Sequence, residues 1–148
     1  MPKVLVVYFS RTGNTEKMAH AVAEGVKEAG ASVVVKKAEL VKIDELVAAD
    51  AIAFGSATSW GYMGGMLKDV FENMLVQARD KFNGKPFAVF ASAGVIESGK
   101  KAVESIEYIA GYFNMRSAAK GVVAQGNPTE ADKKACKELG KKLVQAIR

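Results

Sequence analysis

Six polar or flexible residues lie between the first apolar run of the chain and the helical pattern that follows it. Residues 10–15 read Ser-Arg-Thr-Gly-Asn-Thr, so hydroxyl groups, an amide and a flexible backbone are concentrated at one point. The first turn of a helix offers unpaired N–H groups and a partial positive charge, and a phosphate is their natural partner. One helix cap would need only one such residue. The pattern therefore predicts a mostly neutral phosphate cradle formed by Ser10, Arg11, Thr12, Gly13, Asn14 and Thr15.

This cradle differs from two common nucleotide-binding loops. It lacks the Gly-Lys-Ser/Thr ending of the P-loop and the GxGxxG pattern of dinucleotide-binding folds. Gly13 lets the backbone turn tightly, so that successive amides can point inward. Arg11 either reaches the phosphate or points to water, and the sequence leaves both alternatives open.

The other reactive side chains predict neither a catalytic residue nor a metal ligand. Cys136 is the only cysteine and His20 the only histidine, so an internal disulfide is impossible and zinc or a histidine-based triad is disfavoured. His20 falls on the polar face of its helix with Glu16 and Glu24, and we expect it to be solvated. Cys136 shares its spacing with apolar residues such as Leu139, which predicts a core thiol. No serine lies in a nucleophile motif.

Length, composition and charge favour an ordinary globular protein. With 148 residues, of which 49% are hydrophobic, the chain predicts one domain over residues 1–148. The formal net charge is +5, but the lysines of the last segment alternate with acids, which indicates a solvated helix face rather than nucleic-acid binding. No apolar run reaches about 18 residues. We therefore expect no membrane insertion, a cytoplasmic location and a monomer.

Strand patterns and helix patterns alternate along the chain. Strands are predicted at Lys3–Phe9, Ser32–Lys37 and residues 51–55, 86–92 and 118–124, and helices over residues 14–29, 67–78, 99–113 and 129–147, with a short helical or turn segment at 44–50 and a glycine-rich loop at 56–65. Such alternation predicts parallel βαβ units and a three-layer α/β sandwich. Ligands of these sheets bind beyond the carboxyl ends of the strands. The loops after the first, third and fourth strands are therefore the candidate binding loops.

Residues 8–19, which read YFSRTGNTEKMA, closely resemble the phosphate loop of the flavodoxins. That loop consists of a hydroxyl residue, any residue, and then Thr-Gly-Asn-Thr. The resemblance extends over the whole chain in length and in the order of elements. It implies a flavodoxin-like fold with a five-stranded parallel sheet of order 2-1-3-4-5 and one non-covalently bound FMN. Residues 10–15 would then hold the 5′-phosphate of FMN.

The resemblance also assigns flavin contacts to the two other loops. The second loop would contribute Ala57, Thr58, Ser59, Trp60, Gly61 and Tyr62, and the third loop Ser92, Ala93, Gly94, Glu97 and Gly99. Trp60 or Tyr62 would stack on the flavin ring or border it. Residues 55–65 read GSATSWGYMGG, whereas the common flavodoxin pattern resembles GSPTWGDG, so this loop has one more residue before Trp-Gly and no acid after it. The third loop lacks the tyrosine that flavodoxins often have there.

In flavodoxins a peptide beside the flavin rotates on reduction, and the resemblance makes Gly61 the candidate for that position. The additional residue before Trp60 leaves the Ser59–Trp60 peptide as an alternative. Residues 55–67 contain no Asp or Glu, which predicts that the second reduction step occurs at a higher potential than in acidic relatives.

By this resemblance the chain is expected to be a low-potential electron carrier that exchanges electrons with redox partner proteins. The alternative is a small NAD(P)H-dependent quinone or flavin reductase of the same fold, whose Gly-Thr-Pro-Thr-x-Phe-Gly-x-Met stretch resembles the second loop. The C-terminal half is also similar to the flavodoxin domains of flavo-diiron proteins. A third hypothesis is a cofactor-free phosphopeptide or nucleotide-binding module. The aromatic, glycine-rich second loop disfavours this third hypothesis, because a phosphate cradle alone would not require it.

Overall fold

The computed structural model describes residues 1–148 as a parallel sheet flanked by helices. The strands are β1 (Lys3–Phe9), β2 (Ser32–Lys37), β3 (Ala51–Ser59), β4 (Tyr62–Met63), β5 (Pro86–Ala93), β6 (Arg116–Ser117) and β7 (Val122–Gln125). The helices are α1 (Asn14–Glu28), α2 (Ile43–Ala48), α3 (Gly65–Asn73), α4 (Ile96–Tyr112) and α5 (Glu130–Gln145), with a 3-10 segment at Leu75–Phe82. No helix is both long enough and apolar enough to cross a bilayer.

The order of the strands confirms the predicted topology. The central order is β2-β1-β3-β5, and both β6 and β7 pair in parallel with β5, the first near its beginning and the second near its end. The predicted fifth strand over residues 118–124 was wrong as one continuous element, because these two short strands replace it. Gly121 lies in the interruption, where a side chain would overlap Val103 and lie tightly against the carbonyl oxygen of Val89. Glycine weakens a strand and often marks a place where another chain segment approaches closely.

Two hydrophobic cores cover the two faces of the sheet. Alternate residues of β3 divide between them: Ala51 and Ala53 face α1 and α5, whereas Ile52 and Phe54 face α2, α3 and α4. Such alternation follows from the two-residue period of a strand. Helix α1, which follows the cradle predicted at residues 10–15, therefore belongs to the helix layer that packs on one face of the sheet.

The position of α1 depends on its close crossing with α5. A side chain at Gly25 would overlap the carbonyl oxygen of Lys137, and one at Gly140 would overlap the carbonyl oxygen of Val22. The two glycines thus allow the helix backbones to touch. This crossing fixes α1, and with it the loop at its N-terminus.

Three further boundaries differ from the sequence prediction. The predicted loop over residues 56–65 is largely a hairpin, because β3 continues to Ser59 and pairs antiparallel with β4. The helix predicted over residues 67–78 ends at Asn73 and gives way to the 3-10 segment, in which Ala78 has a non-helical φ of −139°. Helix α4 begins at Ile96, three residues before the predicted start.

Candidate functional site

The carboxyl ends of β1, β3, β5 and β7 surround one small cavity. It has a volume of about 270 Å³ and is lined by Arg11, Thr12, Asn14, Ala57, Thr58, Ser92, Ala93, Gly94 and Gly126. Eight of these nine residues belong to the set that the sequence predicted. They come from three separate loops, as expected for parallel strands whose carboxyl ends meet at one edge of the sheet.

The phosphate loop, residues 10–15, has the form of an anion cradle. Gly13 adopts a left-handed φ of 94°, which favours glycine at this turn. The Ser10 hydroxyl oxygen accepts the N–H groups of Gly13 at 3.1 Å and Glu16 at 3.4 Å. The N–H groups of Arg11 and Thr12 have no partner within the chain, and the first turn of α1 adds donors that no carbonyl of the helix can accept. Unpaired donors are thus concentrated beside the cavity.

Two hydrogen bonds tie this loop to the body of the protein. The hydroxyls of Thr15 and Ser92 lie 2.7 Å apart in the buried interior and join the phosphate loop to the end of β5. The Tyr8 hydroxyl donates to the Glu16 carboxylate at 2.6 Å. Burial of the phenol, and to a smaller extent its bond to Glu16, raises the pKa of Tyr8 to about 12. Tyr8 therefore stays protonated at physiological pH and holds the Glu16 carboxylate.

The second loop is a tight β-hairpin, residues 58–63. Thr58 pairs with Met63 and Ser59 with Tyr62, so Trp60 and Gly61 form the two-residue turn. Their φ values of 55° and 72° are those of a type I′ turn, whose twist matches the paired strands. The Trp60 side chain is fully exposed, and Tyr62 is 38% exposed. The two aromatic residues proposed to contact the flavin thus lie in and directly after the hairpin turn, where both are exposed.

Three hydrogen bonds hold the hairpin in place. The Ser56 hydroxyl oxygen accepts the Gly64 N–H at 2.8 Å, and the Ser105 hydroxyl of α4 accepts the Met63 N–H at 3.2 Å. The Arg11 guanidinium donates to the Ser59 hydroxyl and lies 5.5 Å from the centre of the Phe9 ring. In this structure Arg11 therefore joins the phosphate loop to the hairpin rather than pointing freely into water.

The third loop contributes Ser92, Ala93 and Gly94 to the cavity, but it places two other predicted residues elsewhere. Glu97 is exposed on α4 and pairs with Lys100 at 3.3 Å. Gly99 is buried where a side chain would overlap Val123, so it permits the packing of α4 on β7. Neither Glu97 nor Gly99 lines the cavity, and their roles in cofactor binding stay predictions.

The residues around the cavity fit a phosphate-bearing cofactor. Thr58 lines the cavity, and its hydroxyl oxygen is buried without a hydrogen-bond partner. Such an orphaned group costs about 1–3 kcal/mol, which a suitably placed polar ligand atom would offset. Gly94 has open space where a side chain would begin. An approaching ring or chain would meet only backbone at that position.

Sequence reasoning missed two residues. Gly126 lines the cavity with a φ of 68°, and its N–H donates to the Ala93 carbonyl at 2.8 Å. Its position after the last parallel strand was a usable signal, because every strand end at this edge borders the site. Ser56 is fully buried and anchors the hairpin through Gly64. No local motif distinguishes Ser56, since its partner depends on the hairpin that follows it.

Comparison with known proteins assigns the family. The sequence model of the flavodoxin family matches residues 6–140. The chain is 32% identical to a flavodoxin from Aquifex aeolicus, over 99% of this chain and 88% of that protein. It is 35% identical to an NAD(P)H dehydrogenase (quinone) from a Bradyrhizobium species, over 68% of this chain. The chain spans only 61% of that dehydrogenase.

A solved flavodoxin from the domain Archaea has the same fold. It superposes with a TM-score of 0.87 and is 32% identical, with 98% of each chain covered. The chain belongs to the flavodoxin family, whose members bind FMN.

Proposed function

We propose that this protein is a low-potential electron carrier that holds one FMN in the cavity at the carboxyl ends of its strands. The phosphate loop is the observation that carries the proposal, because it concentrates unpaired backbone donors at the N-terminus of α1. Its hydroxyls and amide stand beside them. Such a site suits the terminal phosphate of FMN. Family membership supports both the cofactor and the electron-transfer role.

The chain itself binds and orients the cofactor, whereas the bound FMN supplies the redox chemistry. Thr12 and Asn14 would hold the phosphate together with the free amides of the loop. Ala57, Thr58, Ala93 and Gly94 would border the ring system. The hairpin tip, with Trp60 and Tyr62, would cover one side of the ring and limit access of water.

A second candidate function is NAD(P)H-dependent quinone reduction. It is favoured by the 35% identity to the Bradyrhizobium dehydrogenase. The flavodoxin from Aquifex aeolicus is matched over more of both chains, which favours the carrier. A carrier passes single electrons, whereas a hydride-accepting enzyme gains by going directly to the two-electron state. The two functions therefore differ in whether one-electron-reduced flavin accumulates, which can be measured.

The deciding experiment is anaerobic stepwise reduction of the FMN-loaded protein, followed by visible absorbance. For a carrier we expect the long-wavelength absorbance of one-electron-reduced flavin to accumulate. We also expect NADPH alone to reduce the protein slowly. Rapid reduction by NADPH without that absorbance at any stage would reverse the order of the two candidates.

Three further properties belong to the proposal. The protein would act as a single FMN-binding domain over residues 1–148, as a monomer and in the cytoplasm. Size-exclusion chromatography with light scattering tests the monomer, and cell fractionation tests the location. Its partners would be redox proteins, one that donates electrons and one that accepts them.

A further inference from the structure

Three cations surround the hairpin, and each contacts a different residue of it. Arg11 donates to the Ser59 hydroxyl. The Lys101 side chain lies within van der Waals range of the position where a Gly61 side chain would begin. The Lys68 ammonium lies 5.8 Å from the centre of the Tyr62 ring. We call Arg11, Lys68 and Lys101 the hairpin cations.

The hairpin cations have little acid around them to neutralise their charge. Residues 55–67 contain no Asp or Glu. Lys68 pairs with Glu72 at 3.0 Å, but neither Arg11 nor Lys101 forms an ion pair. Two acids of α4 lie within about one turn of Lys101, and one of them, Glu97, is bound to Lys100. Arg11 and Lys101 therefore leave uncompensated positive charge beside the hairpin.

The opposite layer of the protein, formed by α1 and α5, has a different balance of charge. On α1 and α5, Lys137 pairs with Glu24 and Glu28, and Lys141 pairs with Glu28 and Glu138. Together α1 and α5 carry seven lysines and six acids, so the charge of that layer is nearly balanced by number. The uncompensated charge near the cavity is thus a local property and does not merely reflect the net charge of +5.

The shape of the hairpin surface favours a macromolecule over a small ligand. Small-molecule sites are concave, whereas the hairpin projects with Trp60 fully exposed and Met66 51% exposed beside it. None of the five principal cavities includes Lys68 or Lys101. A protruding apolar tip with cations beside it matches the core and rim of a protein interface.

We propose that the hairpin cations form the docking surface for an acidic redox protein, which meets this chain beside the cofactor. This inference rests on the proposed electron-carrier function. Complementary charge speeds the encounter and sets its orientation, and salt screens it. The small contact expected from a hairpin tip suits a transient redox encounter.

The test uses the FMN-loaded protein and an acidic [2Fe–2S] ferredoxin as the probe. Lys68→Gln and Lys101→Gln are combined in one variant. The matched control combines Lys27→Gln and Lys133→Gln on α1 and α5. Lys27 is exposed and forms no ion pair, whereas Lys133 pairs with Glu130 at 3.6 Å, as Lys68 pairs with Glu72. Each variant thus loses one paired and one unpaired positive charge, and the two differ in where the charge is lost. Stopped-flow absorbance measures the second-order rate of electron transfer from the reduced ferredoxin, and titration calorimetry measures binding separately.

At low ionic strength we expect the hairpin variant to lower the electron-transfer rate by about five- to tenfold and the control by less than twofold. At about 1 M salt, where screening is strong, the two variants should converge. Equal losses in both variants would overturn the proposal, because only net charge would then matter. A loss confined to reduction by NADPH would overturn it in favour of a dinucleotide site. Binding that persists without any electron transfer would instead contradict the proposed function.

Discussion

The phosphate loop and the hairpin border the same cavity, but their side chains are used in different ways. In the phosphate loop, the hydroxyls of Ser10 and Thr15 bond inward, to backbone N–H groups and to Ser92. In the hairpin, the buried contacts lie at its base, whereas Trp60 at the tip is fully exposed. The first loop turns its hydroxyls into the protein, and the second presents an exposed aromatic tip on a buried base.

This difference fits the two tasks of a flavin carrier. A phosphate group keeps the same charge and shape through the redox cycle, so a rigid cradle binds it at low entropic cost. The region beside a ring that changes charge must accommodate that change. A type I′ turn with positive φ at both central residues concentrates the backbone constraint at Trp60 and Gly61. Variants of the two loops should therefore fail in different ways.

The largest expected effect is on the affinity for the phosphate. Thr12 is exposed, lines the cavity and makes no hydrogen bond within the chain, so Thr12→Val should leave the fold unchanged. A lost hydrogen bond to a charged group costs about 1.5–3 kcal/mol. We expect FMN affinity to fall at least about tenfold, while riboflavin, which lacks the phosphate, binds as before. Fluorescence titration measures both ligands.

The matched hairpin variant is Tyr62→Ala, which removes a ring at the tip. It should weaken FMN and riboflavin by the same factor, because both ligands share the ring system. If Thr12→Val also weakened both ligands equally, the phosphate loop would have no special relation to the phosphate.

The next effect concerns the stability of the protein without cofactor. Ser92→Ala leaves the Thr15 hydroxyl, which is 1% exposed, without its partner. We expect a loss of about 1–3 kcal/mol in the free energy of unfolding, measured by urea titration. Adding Thr15→Val should restore much of the lost unfolding free energy, because replacing both partners by apolar groups removes the orphaned hydroxyl.

At the hairpin the corresponding variant is Ser105→Ala, which removes a half-buried bond to the Met63 N–H. Its cost should be smaller, about 0.5–1.5 kcal/mol. A larger loss for Ser105→Ala than for Ser92→Ala would show that the hairpin base, and not the phosphate loop, is the more tightly held region.

An effect of similar size is expected at the turn. Gly61 has a φ of 72°, so Gly61→Val should cost about 1–2 kcal/mol of stability. Gly84 is the control, since it has a φ of 76° with open space around it, and it lies in the turn before β5. Both valine variants should lose similar stability in urea titrations. Only Gly61→Val should lower the yield of one-electron-reduced flavin in stepwise reduction. Gly61→Asn should retain more of that yield, because asparagine tolerates this conformation.

The sequence predicted the phosphate loop, β1 and α1 well, because their signals are local, whereas the strand order followed from the resemblance to the flavodoxins. Met18, Val22 and Val26 recur at helical spacing and are all buried, and the apolar run of β1 is a central strand. The resemblance of residues 8–19 to the flavodoxin loop is equally local. Thr129, the first residue of the last predicted helix, caps α5, because its hydroxyl accepts the Asp132 N–H at 3.1 Å.

The hairpin was missed because its pairing overrides a composition typical of a loop. Glycine at positions 61, 64 and 65 predicted irregular structure, yet Trp60-Gly61 is a favoured turn only when the flanking residues pair. The close approaches at Gly121 and Gly99 also depend on which helix packs on which strand. Such tertiary contacts leave no trace in the spacing of a single sequence.

The smallest effect is a dependence of stability on alkaline pH that belongs to the phosphate loop alone. Burial, and then the bond to Glu16, raises the pKa of Tyr8 to about 12, above the ordinary value of 10.0. The folded protein therefore holds this proton more tightly than the unfolded chain does. The stabilisation is fully present below about pH 10 and is lost as pH rises towards 12.

Tyr8→Phe removes the titrating group, so the difference in unfolding free energy between wild type and variant should shrink between pH 9 and about pH 11.5. Lysine titration is common to both proteins and cancels in this difference. A constant difference for Tyr8→Phe across this range would mean that the Tyr8–Glu16 bond does not hold the phosphate loop in solution.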